Sequence, residues 1–281
     1  MGAAFLSAFE RKQEYLLCVD SDGTVLDTMA SKQLCALLPC LIAEWGLEPW
    51  EPEIRSLWLD INLNSMTRGI VRFKALAMAL NEIDRRFTPI TGLAELNNWV
   101  ESGSVLSGDS LRERGEEALS PLMRKVLRWS EGANRAIAQI PLSEKRPFSG
   151  AREGLMRGSS FADVAVISTA NREALTAEWG EYDLLPFANG VFGQDSGSKQ
   201  DCIAALLQKG YEPKRALMVG DAPADREAAL ANGIWFCPIL PGQEKESWES
   251  LCTEGFDALK NGRFAPYGEE RWRLYVQQLS K

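Results

Sequence analysis

The sequence predicts an α/β protein in which a helical insertion interrupts a parallel sheet, and three observations support this class. Short apolar runs rich in β-forming residues recur along the chain, as expected of strands that a parallel sheet buries on both faces. Helical patterns lie between most of these runs, and this alternation is typical of right-handed crossovers. Residues 31–145 break the alternation, because they contain helical stretches and no run that predicts a strand.

Strands and helices are predicted from different patterns of apolar residues. The strands are continuous apolar runs, whereas a helix places its apolar residues on one face, as Ile203, Leu206 and Leu207 do. We expect Gly210 to end that helix. The predicted strands are residues 15–20, 161–168, 215–220 and 234–239, and the predicted helices between them are residues 172–179, 200–210 and 225–233.

The insertion separates the first predicted strand from all the others. Helical patterns cover residues 31–45 and 70–84, and the polar, Gly/Ser-rich stretch 101–117 is predicted to be a loop. The predicted domains are an α/β core formed by residues 1–30 and 146–281, and an all-helical domain formed by residues 31–145.

Composition limits the partners and the compartment. The chain has 281 residues, of which 45% are hydrophobic, enough for one large domain or two smaller ones. A net charge of -8 argues against nucleic acid and anionic membranes as partners. The longest apolar stretch, residues 35–43, is shorter than the roughly 20 residues of a membrane span. The N-terminal residues 1–15 show no signal-peptide pattern, and no cysteines form a CxxC pair, so we expect a cytoplasmic protein with reduced thiols. The expected state is a monomer or a homodimer.

The absence of histidine from the sequence removes whole classes of chemistry. Ser-His-Asp and Cys-His catalysis, phosphohistidine formation and imidazole metal sites all require this residue. A general acid or base must therefore be a carboxylate, lysine, tyrosine or cysteine. A metal site must be built from oxygen ligands, which favours Mg²⁺ or Ca²⁺.

A pair of aspartates follows the first predicted strand. Asp20 and Asp22 point the same way if this segment is extended, and Gly23 then allows a sharp turn before Thr24. The carboxyl end of a strand is where open α/β sheets place their sites. Two close carboxylates repel each other, so this arrangement favours a bound cation. An ordinary strand-end turn is the alternative reading of the pair alone.

Further polar residues lie at the ends of the other predicted elements. They are Ser168 at the end of the second strand, Lys199 before the next helix, and Gly220, Asp221 and Asp225 after the third strand. Together with Asp20 to Thr24, this set resembles the haloacid dehalogenase (HAD) superfamily, phosphatase branch. The matching motifs there are DxDGT, a strand-ending Ser or Thr, a Lys or Arg, and GDxxxD. Gln200, after Lys199, is a departure, because many relatives have proline there. The insertion is similar to the helical type-one cap of that branch.

The resemblance implies a Rossmann-like, doubly wound sheet and a Mg²⁺-dependent phosphomonoester hydrolase that acts on a small phosphorylated metabolite. Asp20 would attack phosphorus and form an aspartyl-phosphate. Asp22 would protonate the leaving oxygen and later deprotonate water. The Mg²⁺ ligands would be a side-chain oxygen of Asp20, the backbone carbonyl of Asp22 and the side chain of Asp221. Asp225 would support the metal directly or through water, unless it only stabilises a helix N-terminus.

Ser168, Thr169 and Lys199 are the implied phosphate-binding residues. Ser168 or Thr169 could instead cap the following helix, and Lys199 could be a solvated surface residue. Asp27 could approach the substrate or be a solvated loop charge. In the insertion, Arg68 is the candidate substrate contact, because it lies in a polar run before an apolar helix. A structural or surface arginine is the alternative.

Other functions remain open within the same superfamily. A sugar-phosphate mutase would return the phosphoryl group to the sugar, and a non-catalytic HAD-fold protein would only bind. A phosphonatase would need a Schiff-base lysine from the insertion, where Lys32, Lys74 and Lys125 occur without a diagnostic context. A dehalogenase lacks an acid two residues after its nucleophile, so Asp22 argues against one.

Overall fold

The computed structural model describes residues 6–103 and 106–280, and these contain a five-stranded parallel sheet. The strand order β3-β2-β1-β4-β5 reverses direction beside β1, which is the topology of a doubly wound, Rossmann-like sheet. The predicted fold class is therefore confirmed. The strands are β1 (Tyr15–Val19), β2 (Ala162–Ile167), β3 (Gly190–Phe192), β4 (Ala216–Gly220) and β5 (Trp235–Pro238).

One strand was not predicted. Strand β3 has three residues and lies at an edge of the sheet, where it pairs with β2 from Ala165 to Ile167. Two of its three residues are only half-buried, so it lacks the continuous apolar run that marks a central strand. The four predicted strands all occur, each within one residue of its expected bounds.

The chain divides into two compact units. We call Met1–Thr28 with Leu142–Lys281 the sheet unit, and Met29–Pro141 the helical unit. Residues 1–5, within the segment that lacks a signal-peptide pattern, and residues 104–105, within the predicted loop 101–117, lie outside the described residues. Of the helices that the structure describes, none is long and apolar enough to cross a membrane.

The helical unit packs around buried aromatic rings. Phe73 meets Trp99 and Trp129 edge-on at 5.0 and 6.0 Å between ring centroids, and Trp58 meets Trp129 at 6.2 Å. Its described residues form helices and no strand. The helices are α1 (Met29–Lys32), α2 (Leu38–Trp45), α3 (Glu51–Leu59), α4 (Arg72–Arg86), α5 (Leu93–Glu101), α6 (Gly108–Arg112) and α7 (Pro121–Gln139), with π-helical stretches at Gln33–Leu37 and Asp60–Asn64.

The predicted loop 101–117 is wrong in part, because α6 lies within it. The Ser107 hydroxyl accepts a hydrogen bond from the Ser110 backbone N–H at 3.0 Å, and Leu111 is buried. A capping serine and one buried leucine are enough to hold a short helix that composition alone does not indicate.

Helices cover both faces of the sheet in the sheet unit. These helices are α8 (Ala151–Ser159), α9 (Arg172–Glu181), α10 (Lys199–Leu207), α11 (Pro223–Ala231), α12 (Glu244–Ser250), α13 (Phe256–Lys260) and α14 (Phe264–Leu279). On one face Leu17 and Val19 pack with residues of α8, α9, α12, α13 and α14, and on the other Leu16 and Cys18 pack mainly with α10 and α11. Helix α10 ends at Leu207, three residues before the Gly210 expected to end it.

The two segments of the sheet unit run side by side where the helical unit is inserted. The Asp27 N–H donates to the carbonyl of Arg146 at 2.8 Å, and the Phe148 N–H donates to the carbonyl of Val25 at 2.8 Å. Between these bonds Leu26 and Pro147 form an antiparallel bridge. The chain thus leaves the sheet unit and returns to it at neighbouring positions.

Candidate active site

Asp20 lies directly after β1, at the carboxyl edge of the sheet. Its N–H donates to the carbonyl of Val219 at 3.0 Å, so it continues the pairing of β1 with β4, and it is 6% exposed. Asp22 is less buried, and its Oδ1 accepts a hydrogen bond from the Thr28 hydroxyl at 2.5 Å. The two predicted catalytic carboxylates therefore differ in their burial.

The turn after Asp20 requires glycine at one position. Gly23 has a φ of 82°, in the left-handed region that residues with a Cβ avoid. The Ser21 carbonyl accepts the N–H groups of Val25 and Leu26 at 2.9 Å each, which closes the turn. The turn brings the Thr24 hydroxyl to Asp221, where it donates to Oδ1 at 2.9 Å. Asp-Gly-Thr thus links the loop after β1 to the loop after β4.

Gly220, Asp221 and Asp225 pack tightly together where β4 ends and α11 begins. Asp225 is fully buried, and its Oδ2 accepts the Ala222 N–H at 3.1 Å. A Cβ on Gly220 would lie 2.3 Å from that same Oδ2. Glycine is therefore needed at this position to make room for the Asp225 carboxylate.

Lys199, the first residue of α10, joins two of these aspartates. Its Nζ lies 2.8 Å from Oδ1 of Asp20 and 2.5 Å from Oδ1 of Asp225. The side chain is largely buried, so the alternative of a solvated surface lysine is wrong. Burial opposes the charged form of this lysine, but Asp20 and Asp225 outweigh it and leave its pKa raised.

The acidic side chains converge. Within the described residues, Asp20, Asp221 and Asp225 can each place a carboxylate oxygen within 4.8 Å of the other two. Burial raises the pKa of Asp20 well above its usual value; Lys199 lowers it, and Asp225 and Asp221 raise it further. Burial likewise raises the pKa of Asp225, against a lowering by Lys199. Burial and the neighbouring carboxylates thus disfavour the ionised forms of Asp20 and Asp225.

A divalent cation suits this cluster of carboxylates. Lys199 contacts Asp20 and Asp225, and Asp221 accepts a hydrogen bond from the Thr24 hydroxyl. The donors are carboxylate oxygens, which suit Mg²⁺ and similar hard cations. Burial raises the pKa values of Asp20 and Asp225, and a nearby cation would act against that rise by favouring their ionised forms.

Ser168 lies at the same edge of the sheet, one residue beyond β2. Val19 pairs with Val166, so Ser168 follows β2 beside the loop that follows β1. Its N–H donates to the carbonyl of Phe192 at 2.9 Å, its hydroxyl accepts the Ala170 N–H at 3.2 Å, and its side chain is buried. Thr169 is exposed.

The alternative that Ser168 or Thr169 caps helix α9 is wrong. The capping residue is Asn171, whose Oδ1 accepts the N–H groups of Glu173 and Ala174 at 2.9 and 3.2 Å. Neither of the two earlier hydroxyl residues is therefore required for that helix to begin.

The remaining predicted residues, Asp27 and Arg68, differ in their exposure. Asp27 is exposed. Arg68 belongs to the helical unit, is 6% exposed and donates through Nη1 to the carbonyl of Leu63 at 3.2 Å. An exposed surface arginine is therefore excluded, whereas its role as a substrate contact stays a prediction.

Three buried aromatic side chains hold the loops of the site and were not predicted to do so. Trp179 Nε1 donates to the Ser21 hydroxyl at 2.9 Å, and Trp248 Nε1 donates to the Thr24 carbonyl at 2.9 Å. The Tyr275 hydroxyl donates to the Asp221 carbonyl at 2.7 Å. A buried indole or phenol needs a polar partner, and this general rule is the one signal in the sequence that could have pointed to them.

Comparison with known proteins identifies the fold. The amino-acid sequence matches no protein-family model and no curated protein. A haloacid dehalogenase-like hydrolase of Streptococcus pneumoniae aligns at 16% identity with a TM-score of 0.52, over 80% of this chain and 83% of its own. A haloacid dehalogenase-like hydrolase of Xanthomonas campestris aligns at 13% identity and a TM-score of 0.52, over 92% and 98%. A candidate phosphoglycolate phosphatase of Lactobacillus plantarum aligns at 13% and 0.50, over 84% and 91%.

At these identities the likeness concerns the fold. The chain has the fold of the haloacid dehalogenase-like hydrolases, as the motifs implied. What the chain does must be argued from its own site.

Proposed function

We propose that this chain is a phosphatase of the haloacid dehalogenase superfamily: a Mg²⁺-dependent hydrolase that removes the phosphoryl group of a small metabolite through an aspartyl-phosphate on Asp20. The observation that carries the proposal is the buried cluster of Asp20, Asp221 and Asp225 with Lys199 at the carboxyl edge of the sheet. The shared fold and the order of the four motifs support the same function.

The metal site of the proposal uses the acidic cluster. Side-chain oxygens of Asp20 and Asp221 would hold the cation together with the backbone carbonyl of Asp22, the ligand that the resemblance implies. Asp225 would support these ligands indirectly, because its two oxygens already bind Lys199 and the Ala222 N–H. When bound, the cation offsets the negative charge that the carboxylates and the phosphoryl group bring together.

In the first half of the reaction a carboxylate oxygen of Asp20 attacks phosphorus. A bond forms between that oxygen and phosphorus, and the bond from phosphorus to the leaving oxygen breaks. Asp22 gives its proton to the leaving oxygen, so the product departs as a neutral alcohol. The Thr28 hydroxyl, 2.5 Å from Oδ1 of Asp22, holds that side chain near the strand end.

In the second half water hydrolyses the aspartyl-phosphate. Asp22, now ionised, takes a proton from the water, whose oxygen bonds to phosphorus. The bond from phosphorus to the Asp20 oxygen breaks, which releases inorganic phosphate and restores the nucleophile. Each carboxylate thus ends in its starting state.

Phosphate binding would fall to residues at the same edge. Lys199 would offset charge on the phosphoryl oxygens while it holds Asp20 and Asp225, and Ser168 would donate its hydroxyl. Thr169, the next residue, is the further candidate. The helical unit would act as the cap that selects the substrate, with Arg68 as its cation. The acidic chain suits a small phosphorylated metabolite better than a nucleic acid.

The test is release of inorganic phosphate from a panel of phosphorylated metabolites and a generic aryl phosphate. We expect turnover that needs Mg²⁺, stops with EDTA and is absent from Asp20→Asn. A wild-type protein that releases no phosphate from any compound, with or without Mg²⁺, would overturn the proposal. Isomerisation of a sugar phosphate without net phosphate release would instead identify a mutase.

A further inference from the structure

The C-terminal helix α14 contributes a buried hydrogen bond to the loop that carries Asp221. Tyr275, fully buried, donates its hydroxyl to the Asp221 carbonyl at 2.7 Å, although the two residues are 54 positions apart in the chain. The tyrosine ring stacks on Trp272, with ring centroids 4.9 Å apart and planes 16° from parallel. The hydroxyl is thus aimed at the loop by a ring that is itself fixed.

The bond from Tyr275 acts on a peptide group that also holds Asp225. The Asp221 carbonyl and the Ala222 N–H belong to one planar peptide unit. The N–H side of that unit donates to Oδ2 of Asp225 at 3.1 Å. With a bond on each side the peptide plane is fixed, and a change on the carbonyl side must alter the bond to Asp225 as well.

The same contacts continue to the nucleophile. Oδ1 of Asp225 lies 2.5 Å from Nζ of Lys199, and this Nζ lies 2.8 Å from Oδ1 of Asp20. An unbroken series of short polar contacts therefore runs from the hydroxyl of Tyr275 to the carboxylate proposed to attack phosphorus.

We propose that Tyr275 is a positioning residue of the site: it fixes the Asp221–Ala222 peptide and thereby aims Asp225 and Lys199. This inference rests on the proposed function and extends it to a helix that carries none of the four motifs. Without the hydroxyl the Asp221 carbonyl loses one buried hydrogen bond, and that loss costs free energy. The peptide would then be held less firmly, so Asp221 and the Asp225 acceptor would move away from the geometry that holds a cation.

Tyr275→Phe removes the hydroxyl and keeps the ring on Trp272. We expect the dissociation constant for Mn²⁺, measured by isothermal titration calorimetry, to rise by about tenfold, the lower end of the effect of groups that orient metal ligands. The Mg²⁺ concentration needed for half-maximal phosphatase activity should rise by a similar factor.

The matched control is Tyr267→Phe. Tyr267 is on the same helix, and its hydroxyl lies 3.1 Å from the Ser250 hydroxyl rather than on the Asp221 carbonyl. Both variants lose one hydroxyl from α14, so both can lower the unfolding temperature. If Tyr275→Phe binds Mn²⁺ as tightly as Tyr267→Phe does, Tyr275 is only structural and the inference is overturned.

A double-mutant cycle tests the route through Asp225. Combined with Asp225→Asn, Tyr275→Phe should weaken Mn²⁺ binding by clearly less than it does alone, because the two changes interrupt the same series of contacts. Additive effects would refute the route. If wild-type protein binds Mn²⁺ but releases no phosphate, the proposed function is refuted and the Mn²⁺ titration still tests Tyr275. If wild-type protein binds no Mn²⁺, the proposed function and the role of Tyr275 are both refuted.

Discussion

Replacing Lys199 with methionine should destabilise the sheet unit and make its stability depend strongly on Mg²⁺. Methionine keeps much of the side-chain volume and removes the charge that contacts Asp20 and Asp225 at 2.8 and 2.5 Å. Breaking a buried ion pair by removing one partner costs about 3–5 kcal/mol. For a unit of this size about 1 kcal/mol changes the unfolding temperature by about 2–4 °C, so we predict a fall of about 6–20 °C.

The stability lost in Lys199→Met should depend on pH, with a definite sign. Lys199 lowers the pKa of both Asp20 and Asp225, so its removal lets their raised pKa values rise further. When a buried carboxyl has a higher pKa in the folded protein than in the unfolded chain, the folded protein loses stability as the pH rises above the unfolded pKa. It regains that stability as the pH falls. In metal-free protein the difference between wild type and Lys199→Met should therefore be largest near neutral pH and shrink in acid.

The assay is thermal unfolding of both proteins with EDTA and with Mg²⁺, alongside Lys245→Met. Lys245 is exposed and lies 3.8 Å from Glu249, so the same chemical change there should matter little. Mg²⁺ should stabilise Lys199→Met more than wild type, because the variant has more uncompensated charge. Equal unfolding temperatures for Lys199→Met and Lys245→Met, or an equal gain from Mg²⁺, would refute the account of the acidic cluster.

Other substitutions separate the remaining roles. Asp20→Asn should abolish turnover and any covalent adduct. Asp22→Asn should be nearly inactive and accumulate phosphate on Asp20, which intact mass and peptide mapping would show. A phosphate on another residue would contradict the assignment. Gly220→Ala should cost about 1–3 kcal/mol in denaturant unfolding, because its Cβ would overlap the Asp225 carboxylate, and unchanged stability would contradict that packing. Arg68→Ala should lower kcat/KM for the natural substrate by about 10- to 150-fold, the value of a charge-assisted hydrogen bond of about 1.5–3 kcal/mol, and should affect a small aryl phosphate much less. Equal losses on both compounds would argue against a specificity role.

Much of the sheet could be predicted because its strands are apolar without interruption. Parallel strands present their carboxyl ends at one edge, so residues far apart in sequence were expected to meet there, and Asp20, Asp221 and Lys199 do lie together. Strand β3 was not predicted, because a three-residue edge strand forms without the long apolar run by which the other strands were predicted.

The supporting contacts could not be predicted, because they depend on tertiary packing. Nothing in the sequence near Tyr275 or Trp248 indicates that these side chains donate hydrogen bonds to the carbonyls of Asp221 and Thr24. The choice of Asn171 as a helix cap, two residues beyond Thr169, is likewise settled by local backbone geometry that composition does not encode.

The neighbouring exit and return of the chain, at Leu26 and Pro147, has an evolutionary consequence. The two points are already joined by backbone hydrogen bonds, and the entropic cost of closing a flexible chain between them grows only slowly, with the logarithm of its length. Segments of very different size can therefore be exchanged here by recombination without altering the order of the strands. The reaction and the choice of substrate would then be free to diverge at different rates.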